Sequence, residues 1–303
     1  MCTECGCGEY SQNEIKIFRP GAETSTETLS SPVPSGLSSH GHEHHERAHS
    51  HPGLHWHDHP HSHIHSHSHA HDHRGDKESG TRIVQLERSL LEQNDRLAER
   101  NRGFFLAQKL FVVNMISAPG SGKTTLLAKT AEALKGKLRI GVIVGDLATG
   151  NDATRLQQAG IEAVQVTTGN VCHLDAQMVH RALRQLPLDS IDVLFIENVG
   201  NLVCPGDFDL GEAMRVVLFS VTEGEDKPLK YPPVFHSAQA VVITKKDLAE
   251  ACGFDREQAL EAVHRIAHHA ELFELSARSG EGMDGWLAWL QHQRERYLQE
   301  AMG

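Results

Sequence analysis

Three cysteines stand within the first seven residues, in the stretch MCTECGC. Cys2, Cys5 and Cys7 could form disulfides, carry a lipid anchor, take part in redox exchange or bind a metal ion. A lipid-anchored Cys would need an apolar leader, and C-x-x-C redox motifs normally open a helix of a folded domain. We therefore expect a metal site. Three thiolates and the N-terminal amine in one plane favour Ni²⁺, although the same thiols could hold Zn²⁺ tetrahedrally.

A second set of metal donors is a histidine tract. Residues 40–73 hold 16 of the 23 histidines of the chain. Imidazole binds nickel, zinc and copper alike, so many histidines at short spacing would buffer or store several ions with little geometric selection. The alternative is a solvated low-complexity linker without a metal role.

A third set of donors follows two apolar runs further along the chain. TTGNVCHLDAQ places Cys172 beside His173, and ENVGNLVCPGD places Cys204 seven residues after Glu197. A lone buried Cys is usually a small hydrophobic residue, which is the alternative interpretation. We expect one metal site from the three donors. If the segment after Glu197 is reordered on nucleotide hydrolysis, Cys204 moves and metal affinity is linked to the nucleotide state.

The stretch ISAPGSGKTTLL has the pattern of a phosphate-binding loop. Small residues let backbone N–H groups surround phosphates, and the start of the following helix favours their negative charge. Lys123 would reach the β- and γ-phosphates, and the Thr124 hydroxyl would bind Mg²⁺. Ser117 stands where the strict pattern has Gly, and a small residue can still make the turn. The predicted loop contacts come from Gly120, Ser121, Gly122, Lys123, Thr124 and Thr125.

Two carboxylates follow later apolar runs. Asp146 ends VIVGD, and Glu197 follows LFI with Gly200 three residues further on. Either carboxylate could hold Mg²⁺ directly or through water, and the Gly200 N–H could face the γ-phosphate. Together with Lys123 and Thr124, they form the predicted catalytic set. Alternatively, both acids could cap a helix or a loop.

The stretch VVITKKDL predicts which base is bound. A carboxylate at Asp247 can accept hydrogen bonds from guanine N1–H and N2–H₂, whereas adenine presents the wrong edge. Thr244, Lys245 and Asp247 match the N-K-x-D pattern of GTPases, with Thr in place of Asn. Ser276 and Ala277 could supply a backbone contact to guanine O6. Helix capping is the alternative role for Asp247.

No residue stands out as a general base for an attacking water. Sites of this kind hydrolyse GTP slowly without a completing partner, on the order of 10⁻⁴ to 10⁻² s⁻¹. We therefore expect a slow switch whose hydrolysis depends on dimerisation or on a partner protein.

The elements that must position these residues form an α/β pattern. From residue 111 onward, apolar runs alternate with amphipathic stretches, which predicts a doubly wound, mostly parallel sheet covered on both faces. Four segments are predicted: residues 1–39, the Cys motif with a flexible linker; residues 40–80, the His-rich segment; residues 81–110, a leading helix; and residues 111–303, the GTPase domain.

Composition and charge argue against nucleic-acid and membrane partners. The 303 residues carry a formal net charge of −11, so no basic surface indicates nucleic acid. No apolar run approaches the roughly 18 residues of a transmembrane helix, and no secretory signal is recognisable. We expect a cytoplasmic protein with reduced thiols and without a membrane partner.

Several long motifs resemble one family. These are the Cys-x-x-Cys-Gly-Cys start, the His tract, SAPGSGKTT, CHLDAQM, FIENVGNLVCP and SVTEGEDKPLKYP. Together they are similar to the HypB family, GTPases that help load nickel into [NiFe]-hydrogenase. The resemblance covers the N-terminal motif and nearly all of the chain from residue 81.

The resemblance implies a SIMIBI-class P-loop fold and a GTP-dependent homodimer. It also implies partners: a HypA-type metallochaperone, SlyD in some bacteria, and the precursor of the hydrogenase large subunit. By position, Cys2, Cys5 and Cys7 match the family's tight nickel site, and Cys172, His173 and Cys204 match its nickel or zinc site. Thr244 departs from the usual Asn.

Other classes of protein share some of these features. A urease-type nickel GTPase has the fold and a His-rich start, but MCTECGC and ENVGNLVCP are not expected in it. A cobalamin-type metallochaperone GTPase is another relative. A nickel-storage protein would explain the histidine tract but not the phosphate loop.

Overall fold

The computed structural model describes residues 14–20, 25–28, 74–147 and 151–302. Cys2, Cys5, Cys7 and the histidine tract therefore lie outside the described residues. The chain divides into two compact units, residues 1–29 with 86–303 and residues 30–85. The described strands all belong to the first unit. Of the second unit, only residues 74–85 are described, as part of a helix.

One sheet contains all of the strands in the described part of the chain. Their order across the sheet is β2-β1-β5-β4-β6-β3-β7-β8-β9, and only β1 and β2 are antiparallel to their neighbours. The mostly parallel sheet predicted from residue 111 onward is confirmed. The strands are β1 Glu14–Phe18, β2 Ser25–Thr28, β3 Phe111–Ser117, β4 Ile140–Asp146, β5 Glu162–Thr167, β6 Val193–Glu197, β7 Met214–Ser220, β8 Ala240–Thr244 and β9 Glu271–Glu274.

Helices cover both faces of this sheet. Every residue of the central strand β3 is buried, and alternate side chains point to opposite faces. Phe111 packs in one cluster with Trp286, while Val112 packs in another with Phe105. The helices are α1 Arg74–Ala107, α2 Lys123–Ala133, α3 Asn151–Gln158, α4 Ala176–Leu183, α5 Lys227–Lys230, α6 Pro232–His236, α7 Ala249–Cys252, α8 Arg256–Ala267 and α9 Met283–Met302.

The leading helix has different ends from those predicted. It begins at Arg74, inside the segment assigned to the His-rich region, and ends at Ala107 rather than at residue 110. Lys109 takes a left-handed conformation, with φ of 54°, and this stops the helix without the usual glycine signal. Asn101 of the helix donates to the carbonyl oxygens of Ala176 and Leu210, at 2.8 and 3.2 Å.

The flexible linker predicted for residues 1–39 is wrong at residues 14–18 and 25–28, which form β1 and β2. Strand β1 pairs antiparallel with β5, with Ile17 opposite Val166. Ile15 and Ile17 are both buried in the cluster that contains Val164 and Val166. Their alternation in EIKIF is a short strand signal, which the polar composition of the surrounding stretch obscured.

Candidate functional site

The phosphate loop connects β3 to α2. Gly120 and Gly122 have φ of 76° and 98°, a left-handed backbone that favours glycine. Lys123 is the first residue of α2, and its Nζ donates to Ser117 Oγ at 2.7 Å. Ser117 therefore gives the buried lysine a partner in addition to fitting the turn. Burial lowers the pKa of Lys123, and the nearby Glu197 carboxylate opposes this shift.

The loop surrounds a cavity of about 520 Å³. Two of the predicted carboxylates reach it from the ends of neighbouring strands, Asp146 from β4 and Glu197 from β6. Asp152 and Arg155 of α3 also line the cavity and were not predicted, because they stand in the polar stretch after Asp146 without a motif of their own. The predicted residues that line it are Gly120, Ser121, Gly122, Lys123, Thr124, Thr125, Asp146, Glu197, Gly200 and Lys245.

Glu197 is a buried carboxylate of this cavity. Its Oε1 accepts a hydrogen bond from Thr124 Oγ1 at 2.8 Å, and its Oε2 is buried without a hydrogen-bond partner. Burial raises its pKa to about 7, while Lys123 and Thr124 act in the opposite direction. A carboxylate oxygen and a hydroxyl at this distance fit the oxygen ligands that Mg²⁺ prefers.

Gly200 lies against the phosphate loop. A Cβ atom at this position would stand 3.0 Å from Pro119 Cγ and 3.1 Å from the Pro119 backbone. The segment after Glu197 is thus packed against the phosphate loop with no room for a side chain at Gly200.

We expect Gly200→Ala to displace Pro119 and to weaken GTP binding by about tenfold, since overpacking typically costs about 1–3 kcal/mol. Titration with a fluorescent GTP analogue measures the change. Gly103→Ala is the matched control, because nothing lies within 4 Å of that Cβ position in α1. It should leave affinity unchanged and stabilise the helix by up to about 1 kcal/mol. Equal affinities for both variants would contradict the packing argument.

A second cavity, of about 290 Å³, fits a base. It shares Gly122, Thr125 and Lys245 with the phosphate cavity, so the two are contiguous. The predicted base-binding residues Thr244, Lys245, Asp247, Ser276 and Ala277 all line it, together with Leu126, Leu248 and Arg278. Mononucleotide binding needs this arrangement of a phosphate loop beside a base pocket.

Thr244 stands where the N-K-x-D pattern of GTPases has Asn. Its Oγ1 donates to the carbonyl oxygen of Ser121 at 2.6 Å and lies 3.4 Å from that of Phe219. The hydroxyl thus ties the end of β8 to the phosphate loop. The Lys246 N–H donates to the Leu275 carbonyl oxygen, which holds Asp247 and Ser276 on adjacent segments.

Cys172, His173 and Cys204 form the predicted cluster of metal donors. Their ligand atoms all lie within 4.8 Å of one another, and no other group of three His, Cys, Asp or Glu donors in the described ranges is as close. His173 is buried, which lowers its pKa to about 4, and its Nδ1 has no hydrogen-bond partner. It stacks on Phe208, with ring centroids 3.9 Å apart. A neutral, oriented imidazole beside two thiols suits Ni²⁺ or Zn²⁺.

Three buried polar side chains that were not predicted, two amides and one carboxylate, form a hydrogen-bonded chain between the phosphate cavity and the metal donors. The Oδ1 of Asn198 accepts from the N–H groups of Leu174 and Val199, at 3.1 and 3.0 Å. Its Nδ2 donates to Asn114 Oδ1 at 3.3 Å. The Asn114 Nδ2 in turn donates to Glu212 Oε1 at 3.0 Å. A polar residue, Asn114, inside the apolar run FVVNMIS was the available sequence signal.

Arg215 completes this connection. Its Nη2 donates to Glu212 Oε1 at 2.9 Å, and its Nη1 and Nη2 donate to the carbonyl oxygens of Gly206 and Phe208. Those two carbonyls belong to the loop that carries Cys204. A continuous hydrogen-bonded path therefore runs from the Cys204 loop to the residues that flank the phosphate cavity and His173.

Comparison with known proteins agrees with this geometry. Residues 111–274 match the family model described as CobW/HypB/UreG, nucleotide-binding domain. A hydrogenase maturation factor HypB from Azotobacter chroococcum is 53% identical over 216 residues, which cover 71% of each chain. The chain belongs to the HypB family. The Escherichia coli K12 HypB is 50% identical over 228 residues, covering 73% of this chain and 79% of that one.

The fold is also similar to that of a solved HypB structure. HypB from Helicobacter pylori, crystallised in complex with nickel, matches with a TM-score of 0.65 at 41% identity. The match covers 68% of this chain and 97% of that chain. In the part of this chain that is described, no helix combines the length and apolarity needed to cross a bilayer.

Proposed function

We propose that this protein is a GTP-hydrolysing nickel metallochaperone that assists insertion of nickel into the active site of [NiFe]-hydrogenase. One observation carries the proposal: a single short segment contributes to both sites. Glu197 and Gly200 line the phosphate cavity, and Cys204, a few residues later, is one of three clustered metal donors. The HypB relatives and the nickel-bound HypB structure support nickel as the cargo.

In this proposal the phosphate loop binds the triphosphate, and Lys123 interacts with its β- and γ-phosphates. Thr124 and Glu197 would hold Mg²⁺, with Asp146 close by, and the bound ion would neutralise charge that develops on the phosphate oxygens. The Gly200 N–H faces the γ-phosphate. Asp247 selects guanine by accepting two hydrogen bonds, and the segment of Ser276 and Ala277 contacts guanine O6.

Hydrolysis is proposed to be slow. Among the described residues that line the phosphate cavity there is no histidine, and two of its three carboxylates, Asp146 and Glu197, are proposed to act at Mg²⁺ rather than on water. A homodimer or a partner protein then completes the site, as in other GTPases that act as switches. The alternative function, nickel storage alone, does not explain the phosphate cavity and the adjoining second cavity.

Nickel is proposed to reach two thiolate sites. Cys2, Cys5 and Cys7 form a tight nickel site, and the histidine tract buffers the ion. Cys172, His173 and Cys204 hold nickel or zinc beside the segment that follows Glu197. Loss of the γ-phosphate contact at Gly200 shifts Cys204 and changes the affinity for the ion. By linkage, metal binding biases the nucleotide state equally.

Cys204→Ala tests this coupling. In the full chain, Ni²⁺ should protect Cys172 from alkylation at different metal concentrations in the GDP state and in the state with a non-hydrolysable GTP analogue. We expect Cys204→Ala to abolish the difference between the two states. Cys252→Ala, an exposed Cys at the end of α7, is the control and should preserve it. A difference in Ni²⁺ protection between the two nucleotide states that persists in Cys204→Ala would contradict the proposed coupling.

The remaining assignments follow from the family. A GTP-dependent homodimer, a HypA-type metallochaperone, SlyD and the precursor of the hydrogenase large subunit are the proposed partners, and the cytoplasm is the proposed compartment. A deletion phenotype confined to hydrogenase, restored by excess nickel, would support delivery to that enzyme. Loss of urease activity in the same deletion would point to the alternative nickel enzyme.

A further inference from the structure

Four histidines meet on the surface far along the chain from the histidine tract. Seven of the 23 histidines lie outside residues 40–73, and four of these, His236, His264, His268 and His269, are exposed neighbours. The ring centroids lie 5.4 Å apart for His236 and His269 and 5.6 Å apart for His268 and His269. Those of His264 and His268 are separated by 6.4 Å. Neither the nucleotide cavities nor the Cys172 cluster uses them.

The topology explains why the four rings meet. His236 ends α6, just before β8, and His268 and His269 lie just before β9. Strands β8 and β9 are parallel neighbours, so the segments that lead into them meet at the same edge of the sheet. His264 lies in the last turn of α8, and His268, four residues later, is the residue that follows the helix. The nucleotide and thiolate residues follow their strands, so they belong to the opposite edge.

His236 makes a hydrogen bond of the kind that metal-binding histidines make. Its Nδ1 lies 3.3 Å from the backbone carbonyl oxygen of Ile266. A carbonyl oxygen only accepts, so this bond requires the proton on Nδ1 and leaves the lone pair of Nε2 available. Metal-binding histidines characteristically donate their other ring N–H to such a carbonyl.

We propose that His236, His264, His268 and His269, the four-histidine cluster, form an additional site for a borderline divalent ion such as Ni²⁺, Zn²⁺ or Cu²⁺. Imidazole nitrogen is a good ligand for all three ions. The rings must turn toward the ion, since only the Cys172 cluster has three donors within 4.8 Å among the described residues. Exposed side chains turn readily. The cluster therefore binds more weakly than the thiolates and exchanges its ion faster.

Acylation with diethyl pyrocarbonate tests this site in the full chain, because the reagent needs a neutral imidazole nitrogen. Peptide mapping reads His236, His264 and the adjacent pair His268 and His269 in separate peptides. With NiCl₂ or ZnCl₂ giving free metal at four times the dissociation constant, reaction at the four-histidine cluster should slow by about fivefold. His292, an exposed histidine on α9, is the matched control and should react at an unchanged rate. Unprotected cluster histidines at saturating metal would overturn the proposal.

Two variants separate direct binding from indirect protection. In Cys204→Ala, protection of the cluster should persist, and its loss would mean that the signal comes from the thiolate site, which overturns the proposal. Substituting His236→Gln together with His269→Gln should weaken protection of His264 and His268, whereas His292→Gln should not. Unchanged protection in the double variant would show that the four residues do not act as one site. The results expected for Cys204→Ala and for the double variant do not depend on GTP binding.

Discussion

Replacing Glu197 with Gln should stabilise the nucleotide-free protein more at pH 8 than at pH 4.5, by about 3 kcal/mol. This is the free energy that corresponds to a pKa of Glu197 raised from 4.5 to about 7. The folded state binds the proton more tightly than the unfolded state. The stabilisation from protonated Glu197 is therefore complete below pH 4.5 and is lost as pH rises through about 7. Gln mimics the protonated form and removes this loss. The groups that face the carboxyl are Lys123, Thr124, Asp146 and Asp152.

Urea unfolding of both proteins in the presence of a chelator, from pH 4.5 to pH 8, measures the difference. Glu271→Gln is the control, because that side chain is exposed and its replacement should change stability by less than about 0.5 kcal/mol. A Glu197→Gln effect that is constant across this pH range would show that the carboxylate is well solvated.

The same substitution should impair GTP hydrolysis. Gln keeps an oxygen that can accept from Thr124 but loses the negative charge proposed to hold Mg²⁺. We expect the rate to fall by about 10²-fold or more, in the range found when one preorganised electrostatic interaction is removed. A variant that is more stable and less active would indicate that the buried Glu197 carboxylate destabilises the folded protein but is required for its interaction with Mg²⁺.

The sequence indicates which residues line the two cavities and form the Cys172 cluster better than it indicates how those residues are connected. The phosphate loop, the base pocket and the Cys172 cluster could be predicted because each depends on local spacing or on the ends of parallel strands. Parallel order alone brings Asp146 and Glu197 to one edge of the sheet. The sequence also indicates that Thr244 replaces Asn, but not that its hydroxyl ties β8 to Ser121.

Contacts between residues distant in sequence were not predictable. Asn114 and Glu212 are 98 residues apart, and nothing in their local sequence shows that their side chains meet. The strand β1 was missed for a related reason. Its pairing with β5 is set by tertiary packing of Ile15 and Ile17, which outweighs the polar composition around them. The four-histidine cluster likewise depends on the pairing of β8 with β9.

Arg215→Met should have the largest effect on stability among the substitutions considered. The side chains of Arg215 and Glu212 are only 12% and 5% exposed, and the guanidinium also holds the carbonyls of Gly206 and Phe208. Removing it leaves the Glu212 carboxylate buried without its counter-ion, which typically costs about 3–5 kcal/mol. Because the Cys204 loop loses two anchors, nickel protection of Cys204 should weaken as well.

Arg256→Met provides a matched control, since Arg256 also forms two hydrogen bonds to one carboxylate, that of Glu274, but its side chain is 58% exposed. Its loss should cost no more than about 1 kcal/mol. Adding Glu212→Gln to Arg215→Met removes the uncompensated charge and should recover part of the stability, while the Gly206 and Phe208 carbonyls stay unanchored. If that double variant regains stability but not nickel protection, Arg215 acts on the metal site by positioning the Cys204 loop. Equal costs for Arg215→Met and Arg256→Met would instead mean that burial of the pair contributes little.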